Sequence, residues 1–320
     1  LYLVDRWGNK ELLYRDPNIA SVWPVPIRPR PRPPVLVSGA TGNGKGTGTI
    51  LIQDIYESAP AIPRDAVRSL RVVQLVPKST PGANNPPVGL ANASPGKQVL
   101  GTVPVEPDGS AWFEAPAGVP LSFQVLDERG MALQVMRSDT YLQPGQSMSC
   151  VGCHEPRTTA PPNRSLRALS RAPSTIAPGP DGSRPLSYPI LVQPVLDKHC
   201  VSCHSGEQPG GGVALTAQPE GHYTVSYNAL APRVSISQWG VGDFRRANSE
   251  PLAAPLFFGA HGSPLARLLL DGHQGVSLDG EDWDRLVTWM DANALFYGTF
   301  GFEDQARQRR GERIEGPELE

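Results

Sequence analysis

All four cysteines of the chain lie in two copies of one short pattern, C-x-x-C-H. The first copy reads C-V-G-C-H at 150–154 and the second reads C-V-S-C-H at 200–204. Cysteines three residues apart lie on neighbouring positions of one helical turn, so both sulfurs can form thioethers to the two vinyl groups of one porphyrin. The histidine that follows is then placed to bind the iron. The pattern predicts two covalently bound haem c groups. Their attachment and proximal-ligand residues are Cys150, Cys153 and His154 for haem 1, and Cys200, Cys203 and His204 for haem 2.

Other kinds of cysteine chemistry fit this pattern less well. Paired zinc knuckles usually lie about 15–20 residues apart, whereas residues 154–199 separate Cys153 from Cys200. A zinc site made of four cysteines needs no histidine after each pair. Thioredoxin-like chemistry needs one C-x-x-C in a βαβ unit, and a disulfide within each pair would leave the histidine unexplained.

The ligand on the far side of each iron decides what a haem does. A methionine raises the potential, a second histidine lowers it, and an open position allows chemistry on a small molecule. The remaining histidines are His199, His222, His261 and His273. His199 directly precedes the second motif and would have to bend back. His261 and His273 flank a predicted helix, and the glycines near His273 favour it as the distal ligand of haem 2, with His261 as the alternative.

Haem 1 has no histidine nearby in sequence that could serve as its distal ligand. Met131, Met136 and Met148 precede the motif. Met148 lies too close to Cys150 to cross the ring, and the other two methionines are more typical of core packing. His222 could reach haem 1 from the other domain, and an open position is the other alternative.

The composition of the chain limits the class of protein. Its 320 residues suggest about two domains, and 39% hydrophobic residues are enough for a core. Glycine and proline together make up 33 + 35 = 68 residues, which favours strands and turns over a helical bundle. A net charge of 29 − 31 = −2 argues against nucleic acid as the main partner. No apolar run approaches 18 residues, so no transmembrane segment is predicted. The absence of an initial methionine suggests a processed or partial chain.

The strand and helix patterns along the chain predict an α+β protein. A β-rich, sandwich-like or barrel-like haem domain is expected to precede a mainly helical, cytochrome c-like haem domain. The predicted divisions are terminal strands and a Pro-rich linker (1–34), the β-rich domain (35–157), a Pro-, Ser- and Arg-rich linker (158–187), the helical domain (188–302) and a charged, frayed tail (303–320). Strands are predicted at 48–56, 70–76, 99–105, 110–114, 121–126 and 132–137, with turn signals between them.

The helical domain shows clear helix signals. The segment YPILVQPVLDKHC reads as a helix that leads into the second motif. Ser263 and Pro264 mark a helix start before LARLLL. A further helix is predicted from about 280 to 292, capped by Asp279 and with an apolar face.

Long stretches of the sequence resemble a known family. Residues 101–157, GTVPVEPDGSAWFEAPAGVPLSFQVLDERGMALQVMRSDTYLQPGQSMSCVGCHEPR, resemble the middle domain of hydrazine synthase alpha subunits and their relatives. YPILVQPVLDKHCVSCH and SPLARLLLDGHQGVSLDGEDWDRLVTWMDANALFYG resemble the C-terminal haem domain of that family. The opening LYLVDRWGNKELLYRDP looks like the last strands of the β-propeller that precedes these domains in relatives.

The resemblance implies a middle-domain haem that does chemistry and a C-terminal haem with two histidine ligands that passes electrons. It places His273 in the region of the family's distal histidine. The family's catalytic haem uses a tyrosine ligand four residues beyond the motif histidine, and this chain has Thr158 there. That departure favours ordinary ligation by His154 and argues against hydrazine synthesis.

The sequence therefore predicts a dihaem c-type cytochrome that transfers electrons to a redox partner protein or to neighbouring copies of itself. Covalent haem attachment in bacteria takes place outside the cytoplasm, which predicts a periplasmic or extracellular location. The alternatives are a redox enzyme that binds a small nitrogen or oxygen species at an open haem 1, and a structural subunit of a multihaem assembly or filament.

Overall fold

Two short strands open the chain, as the alternating sequence of residues 1–16 predicts. The structure is a computed structural model that describes residues 1–32, 46–153, 163–238 and 253–316. Strand β1 (Tyr2–Val4) pairs antiparallel with β2 (Lys10–Leu12). Asp5 closes the turn between them, because its Oδ1 accepts hydrogen bonds from the backbone N–H groups of Trp7 (2.9 Å) and Asn9 (3.0 Å). These strands belong to a first unit, residues 1–38, and residues 39–320 form a second.

Two sheets form the β-rich part of the second unit. Their strands are β3 (Thr47–Ile52), β4 (Ser69–Val76), β5 (Gly96–Pro104), β6 (Ala111–Pro116), β7 (Leu121–Leu126), β8 (Ala132–Val135) and β9 (Ser147–Cys150). One sheet has the order β6-β3-β9, in which β9 runs parallel to β3. The other has the order β5-β4-β7-β8 with antiparallel neighbours. The six predicted strands are therefore present, and β9 is an addition that the sequence did not predict.

One apolar core joins these two sheets. Ile50 of β3 and Phe113 of β6 share it with Leu70 of β4 and Leu121 of β7, and all four side chains are fully buried. Residues on β3 alternate between buried and half-buried positions, as expected of a strand with one face on a core. This packing supports the sandwich-like form of the predicted β-rich part.

Residues from 188 onward are mainly helical. The elements are α1 (Tyr188–Leu191), α2 (Gln193–His199), the strands β10 (Pro219–Glu220) and β11 (Tyr223–Thr224), α3 (Val225–Leu230), α4 (Gly259–Gly262), α5 (Pro264–Leu270), α6 (Gly280–Asp291) and α7 (Phe302–Arg309). Asp279 caps α6 as predicted, because its side chain accepts the N–H of Asp282 (2.8 Å). Ser263 precedes α5, but its hydroxyl donates to Gly259 O (2.6 Å) and does not cap that helix. None of the described helices is long and apolar enough to cross a membrane.

A second core of aromatic residues holds the helices together. The ring of Tyr188 in α1 packs on Trp289 of α6, with 5.3 Å between ring centroids, and on Phe296, at 5.4 Å. All three residues are fully buried. Aromatic pairs at such separations stabilise a core beyond the area they bury, so this cluster fixes α1, and with it the start of α2, against α6.

A buried ion pair ties the sheets to the helices. Arg71 on β4 donates from Nη1 to Asp291 Oδ2 at the end of α6 (3.0 Å) and to Gln124 Oε1 (2.8 Å). Asp291 also accepts from the backbone N–H groups of Ala132 (2.9 Å) and Ala260 (2.8 Å). Burial raises the pKa of Asp291 although the Arg71 charge opposes that shift. Both side chains are almost completely buried, so the two parts of the second unit share one polar network.

Two segments differ from the predicted divisions. Residues 163–187 were expected to be a linker, but Ser174 and Ala177 form β-bridges to β6 and β5. The tail from 303 was expected to be frayed, but α7 lies there. The side chain of Gln308 on α7 is fully buried and donates to Leu186 O (3.0 Å). Both segments are stabilised by contacts with distant residues, which local composition does not reveal.

Candidate functional site

The second C-x-x-C-H motif begins where α2 ends. Cys200 follows the last residue of that helix, and its carbonyl oxygen accepts the N–H groups of Cys203 (3.1 Å) and His204 (2.9 Å). The motif thus forms a compact helical turn, as the sequence predicts. Cys200 is half-buried and Cys203 is exposed. Burial, with a smaller contribution from Cys203, raises the pKa of the Cys200 thiol, so this sulfur carries its proton at neutral pH.

The ring of His204 is oriented by a backbone carbonyl. Its Nδ1 lies 2.9 Å from Val213 O, and a carbonyl oxygen can only accept, so Nδ1 carries the proton. The lone pair is then on Nε2, which is the arrangement of a histidine that binds a metal ion. The turn after the motif is closed by Gly210 N–H on Cys203 O (2.8 Å) and Leu215 N–H on His204 O (2.8 Å).

His273 lies opposite His204. It stands in the loop between α5 and α6, and the two ring centroids are 5.9 Å apart with 22° between the ring planes. Metal–imidazole bonds of about 2.0–2.1 Å on both sides of one ion place two ring centres about 6 Å apart. Gly272 and Gly275 on either side have positive φ angles of 90° and 75°, a backbone form that glycine adopts readily. The separation of the two rings is thus that of two axial ligands on one metal ion.

The other histidines make different contacts. His261 Nε2 lies 2.9 Å from Asp127 Oδ2, and His199 Nε2 lies 2.8 Å from Asp282 Oδ2. His222 is exposed in the β10–β11 turn, and its carbonyl oxygen accepts from the hydroxyl of Tyr297 (2.7 Å). Of the candidates for a distal ligand, only His273 has its ring beside His204 in the part of the chain that the structure describes.

The first motif lies on extended backbone. Cys150 ends β9 and pairs with Ile52 of β3, while Cys153 forms a parallel bridge with Ser58. The helical turn expected for this cysteine pair is therefore wrong, because pairing with β3 holds the chain extended. A Cβ at Gly152 would lie 2.2 Å from Glu57 O, so the backbone at 152 packs directly on the turn after β3. His154 and Thr158 lie outside the described residues.

The turn beside the first motif is held by a buried carboxylate. Asp54 is 1% exposed, and its Oδ2 lies 3.1 Å from Arg164 Nη1. Its Oδ1 accepts the N–H of Tyr56 (2.9 Å), and its own N–H donates to Val151 O (2.9 Å). Asp54 thereby fixes the backbone against which the motif packs.

The three methionines considered for haem 1 are in core positions. Met131 is 3% exposed and belongs to the core of the helical part. Met136 and Met148 pack against the core between the sheets, and the Met148 sulfur lies 3.6 Å from the Thr140 hydroxyl. The sequence favoured a packing role for Met131 and Met136, and the structure shows such a role for all three methionines.

Two contributors to these sites were not anticipated from the sequence, the Val213 carbonyl and the Asp54 carboxylate. A backbone carbonyl leaves no signal in the sequence, since every residue has one. Asp54 gives a weak signal, because a single acidic residue two positions after an apolar strand either is exposed or has a buried partner.

The residues of the second motif fit a haem group. Two thiols, one oriented imidazole and a facing imidazole are the attachment and axial groups that haem c requires. Val201, Val213, Leu269 and Leu278 lie within ten residues of His204 or His273 in sequence. They are apolar and only partly buried against the helical core, so part of their surface is left for contact with an apolar ring. Among the described residues no group of three or more His, Cys, Asp or Glu is arranged to hold a metal ion. An iron held in a porphyrin needs only axial ligands from the protein.

The fold and the paired motifs define an α+β protein that carries two C-x-x-C-H sequences. Residues 65–155 match the family model described as the hydrazine synthase alpha subunit middle domain. A curated relative, hydrazine synthase subunit alpha of Kuenenia stuttgartiensis, is 25% identical over 188 aligned positions, which cover 41% of this chain and 23% of the relative. The chain therefore spans about a quarter of that relative's length.

A solved structure shares the fold over most of the chain. Kuenenia stuttgartiensis hydrazine synthase superposes with a TM-score of 0.58 at 20% identity, over 88% of this chain and 46% of the other. Together with the match to the middle domain, this likeness supports the resemblance read from the sequence. The chain is related to the hydrazine synthase alpha subunits.

Proposed function

We propose that this protein is a dihaem c-type cytochrome that transfers electrons outside the cytoplasm. The observation that carries the proposal is the pair of facing imidazoles, His204 and His273, with ring centroids 5.9 Å apart. A haem iron with histidine on both sides has no open position for a substrate and exchanges electrons only. The second motif therefore supports an electron-transfer role.

The chain's own residues suit that role. The Val213 carbonyl holds the His204 ring in one orientation and leaves Nε2 as the nitrogen that would bind the iron of a haem attached at Cys200 and Cys203. A second histidine in place of a methionine lowers the potential. Cys203 is exposed, so a haem attached there would be accessible to a redox partner protein or to a neighbouring copy of the chain.

The first motif carries the second proposed haem, through Cys150, Cys153 and His154. The middle-domain match covers this motif, and it favours a second candidate function, a redox enzyme that acts on a small nitrogen or oxygen species at an open haem 1. Thr158 stands where the family's tyrosine ligand would be expected, which argues for ordinary His154 ligation and against hydrazine synthesis itself.

The location follows from the cofactor. Attachment of haem c takes place outside the bacterial cytoplasm, so we propose a periplasmic or extracellular site. The curated relative is by name a subunit, and assembly with further protein subunits is part of the proposal.

Spectroscopy of the protein matured in a host that attaches haem c tests the proposal. A pyridine haemochrome assay should give two haems per chain, and the variants Cys150→Ala/Cys153→Ala and Cys200→Ala/Cys203→Ala should each retain one. Optical and EPR spectra of each variant, with and without CO, then report the two sites separately. Two low-spin haems that do not bind CO would support electron transfer.

A haem at the first motif that is high-spin and binds CO would move the enzyme candidate ahead. A protein that takes up no haem, with both cysteine pairs still reactive to thiol reagents, would overturn both candidates. Ser202→Ala is the matched control, since it changes an exposed residue inside the second motif and leaves every haem-binding group in place.

A further inference from the structure

A cavity whose lining residues all lie outside the two cysteine motifs is found between the start of β5, the end of β8 and the residues that follow α6. Its volume is about 110 Å³. A water molecule takes about 30 Å³ in the liquid, so the cavity has room for a few waters or for one small anion. The residues that line it include Lys97, Arg137, Ser94, Ser122 and Asn293.

Lys97 is a buried cation. It is 9% exposed, and its Nζ donates to Ala292 O (3.1 Å). Burial lowers the pKa of Lys97 to about 8, so the side chain still carries its proton at neutral pH. Within the described residues, no carboxylate lies in ion-pair distance of Nζ. Asp291 also lines the cavity, but its oxygens bind Arg71 and two backbone N–H groups. A buried charge without a counter-charge is costly, and an anion in the cavity would remove that cost.

Arg137 brings a second positive charge to the same space. Its guanidinium carbon lies 5.7 Å from the centre of the Phe258 ring, which lines the cavity too. Burial lowers the pKa of Arg137, but a guanidinium stays charged at any physiological pH. The planar fork of donors on arginine suits the oxygens of an oxyanion.

Hydroxyl groups complete a set of donors. Ser94 accepts a hydrogen bond from Asn293 Nδ2 (3.1 Å), so its own proton is left to donate. Ser122 is 5% exposed and lines the cavity. Two cations and two hydroxyls around one small space supply the positive charge and the hydrogen-bond donors that bind an oxyanion.

We propose that this cavity is a binding site for a small oxyanion, with Lys97 and Arg137 as its charged donors and the hydroxyls of Ser94 and Ser122 as neutral ones. The site does not depend on the haem groups. An anion bound there would contact residues of both the sheets and the helical part, and would stabilise the contact between them. This role is separate from the proposed electron transfer.

Calorimetric titration tests the site with inorganic phosphate, sulfate, bicarbonate and acetate, at constant ionic strength set by chloride. The wild-type protein should bind at least one of these anions with saturation and should unfold at a higher temperature in its presence. Lys97→Met and Arg137→Gln should each weaken binding by about tenfold or more, because each removes a charge-assisted hydrogen bond. Lys10→Met, on an exposed strand, should bind as the wild type does.

Two controls keep the test decisive. Sulfate and phosphate stabilise folded proteins in general by exclusion from their surface, so an equal rise in melting temperature in wild type and Lys97→Met, without saturable heat of binding, would overturn the proposal. If Lys97→Met does not fold, Arg137→Gln and Ser122→Ala give the same readout. A selenate soak of crystals should place anomalous density beside Lys97, and density only elsewhere on the surface would contradict the site.

Discussion

The two C-x-x-C-H motifs share four of five letters and lie on different backbones. At 200–204 the motif is a helical turn that continues from α2, whereas at 150–153 the chain is extended and pairs with β3 and with Ser58. The two motifs differ only at their third residue, and the surroundings of that residue reflect the difference in backbone. Gly152 packs against Glu57 O with no space for a side chain, while Ser202 is exposed. The two motifs thus have the same cysteines and histidine, and the surrounding fold determines the backbone conformation in which the chain holds them.

The two motifs also differ in what holds them. The second depends on the helix directly before it, so most of its support is local. The first depends on β3, which lies about a hundred residues earlier in the chain, and on Asp54 and Arg164 on either side. The following variants test this contrast, from the largest expected effect to the smallest.

Removing the His273 imidazole should change the spectrum of the haem at the second motif and leave that of the first unchanged. In the haem-loaded protein, His273→Ala opens one side of the iron, and we expect the low-spin signal of haem 2 to be lost and CO binding to be gained. His273→Met should restore a sixth ligand and raise the potential. The matched control is His261→Ala, since His261 Nε2 binds Asp127. If His261→Ala gives the spectral change and His273→Ala does not, the assigned ligand is wrong.

Breaking the buried ion pair should affect both motifs at once. Arg71→Met leaves the Asp291 carboxylate buried without its cation, and loss of one partner of a buried pair costs about 3–5 kcal/mol of unfolding free energy. Chemical denaturation should show one transition at lower denaturant. Glu281→Gln, which removes the exposed helix pair with Arg285, should cost less than about 0.5 kcal/mol. Two separate transitions in the wild type would show that sheets and helices unfold independently.

Exchanging the third residues of the two motifs, Gly152 and Ser202, tests whether the two backbones differ in the space they leave for a side chain. Gly152→Ser should lower the free energy of unfolding by about 1–3 kcal/mol, because the new side chain overlaps Glu57 O. Ser202→Gly, at the equivalent place on an exposed turn, should change it by less than about 1 kcal/mol. Thermal unfolding of the two variants gives the comparison, and equal losses would contradict the difference in packing.

The partly buried pair between Asp127 and His261 should give the smallest effect. Burial by itself would raise the pKa of Asp127, but the His261 hydrogen bond and the N–H groups of Met131 and Arg129 outweigh it and hold that pKa below its usual value. A depressed carboxyl pKa stabilises the fold above the unfolded-state value, about 3.9, and this stability is lost as pH falls through the folded-state pKa.

Asp127→Asn should therefore lower the free energy of unfolding at neutral pH by about 0.5–1.5 kcal/mol, and the loss should shrink below about pH 4. Asp139→Asn, on the exposed stretch after β8, serves as control. Parallel pH profiles for wild type and Asp127→Asn would show that the carboxyl has no such role.

The sequence predicted the strongly patterned elements and the identity of the motif residues. Six strands, the helices before the second motif and at 264–270, and the Asp279 cap follow from short-range periodicity and capping. Strand β9 was not predicted, because its four residues are stabilised by pairing with a parallel strand that is distant in sequence. The same holds for residues 163–187 and for α7, whose stability comes from bridges and from buried Gln308. The sequence favoured His273 as the residue opposite His204. The separation and angle of the two rings could not be predicted, since α5, the loop and α6 together determine them.

The Arg71–Asp291 network has a consequence for dividing or recombining this chain. Its partners are drawn from β4, β7, β8, α4 and α6, up to 220 residues apart in sequence. A fragment that ends before α6 would keep a buried arginine with no carboxylate, and one that begins at the second motif would keep the carboxylate with no arginine. The helical part is therefore not expected to fold when it is separated from the sheets. Grafting it onto another scaffold requires the β4 arginine to travel with it, or both members of the pair to be replaced by apolar residues.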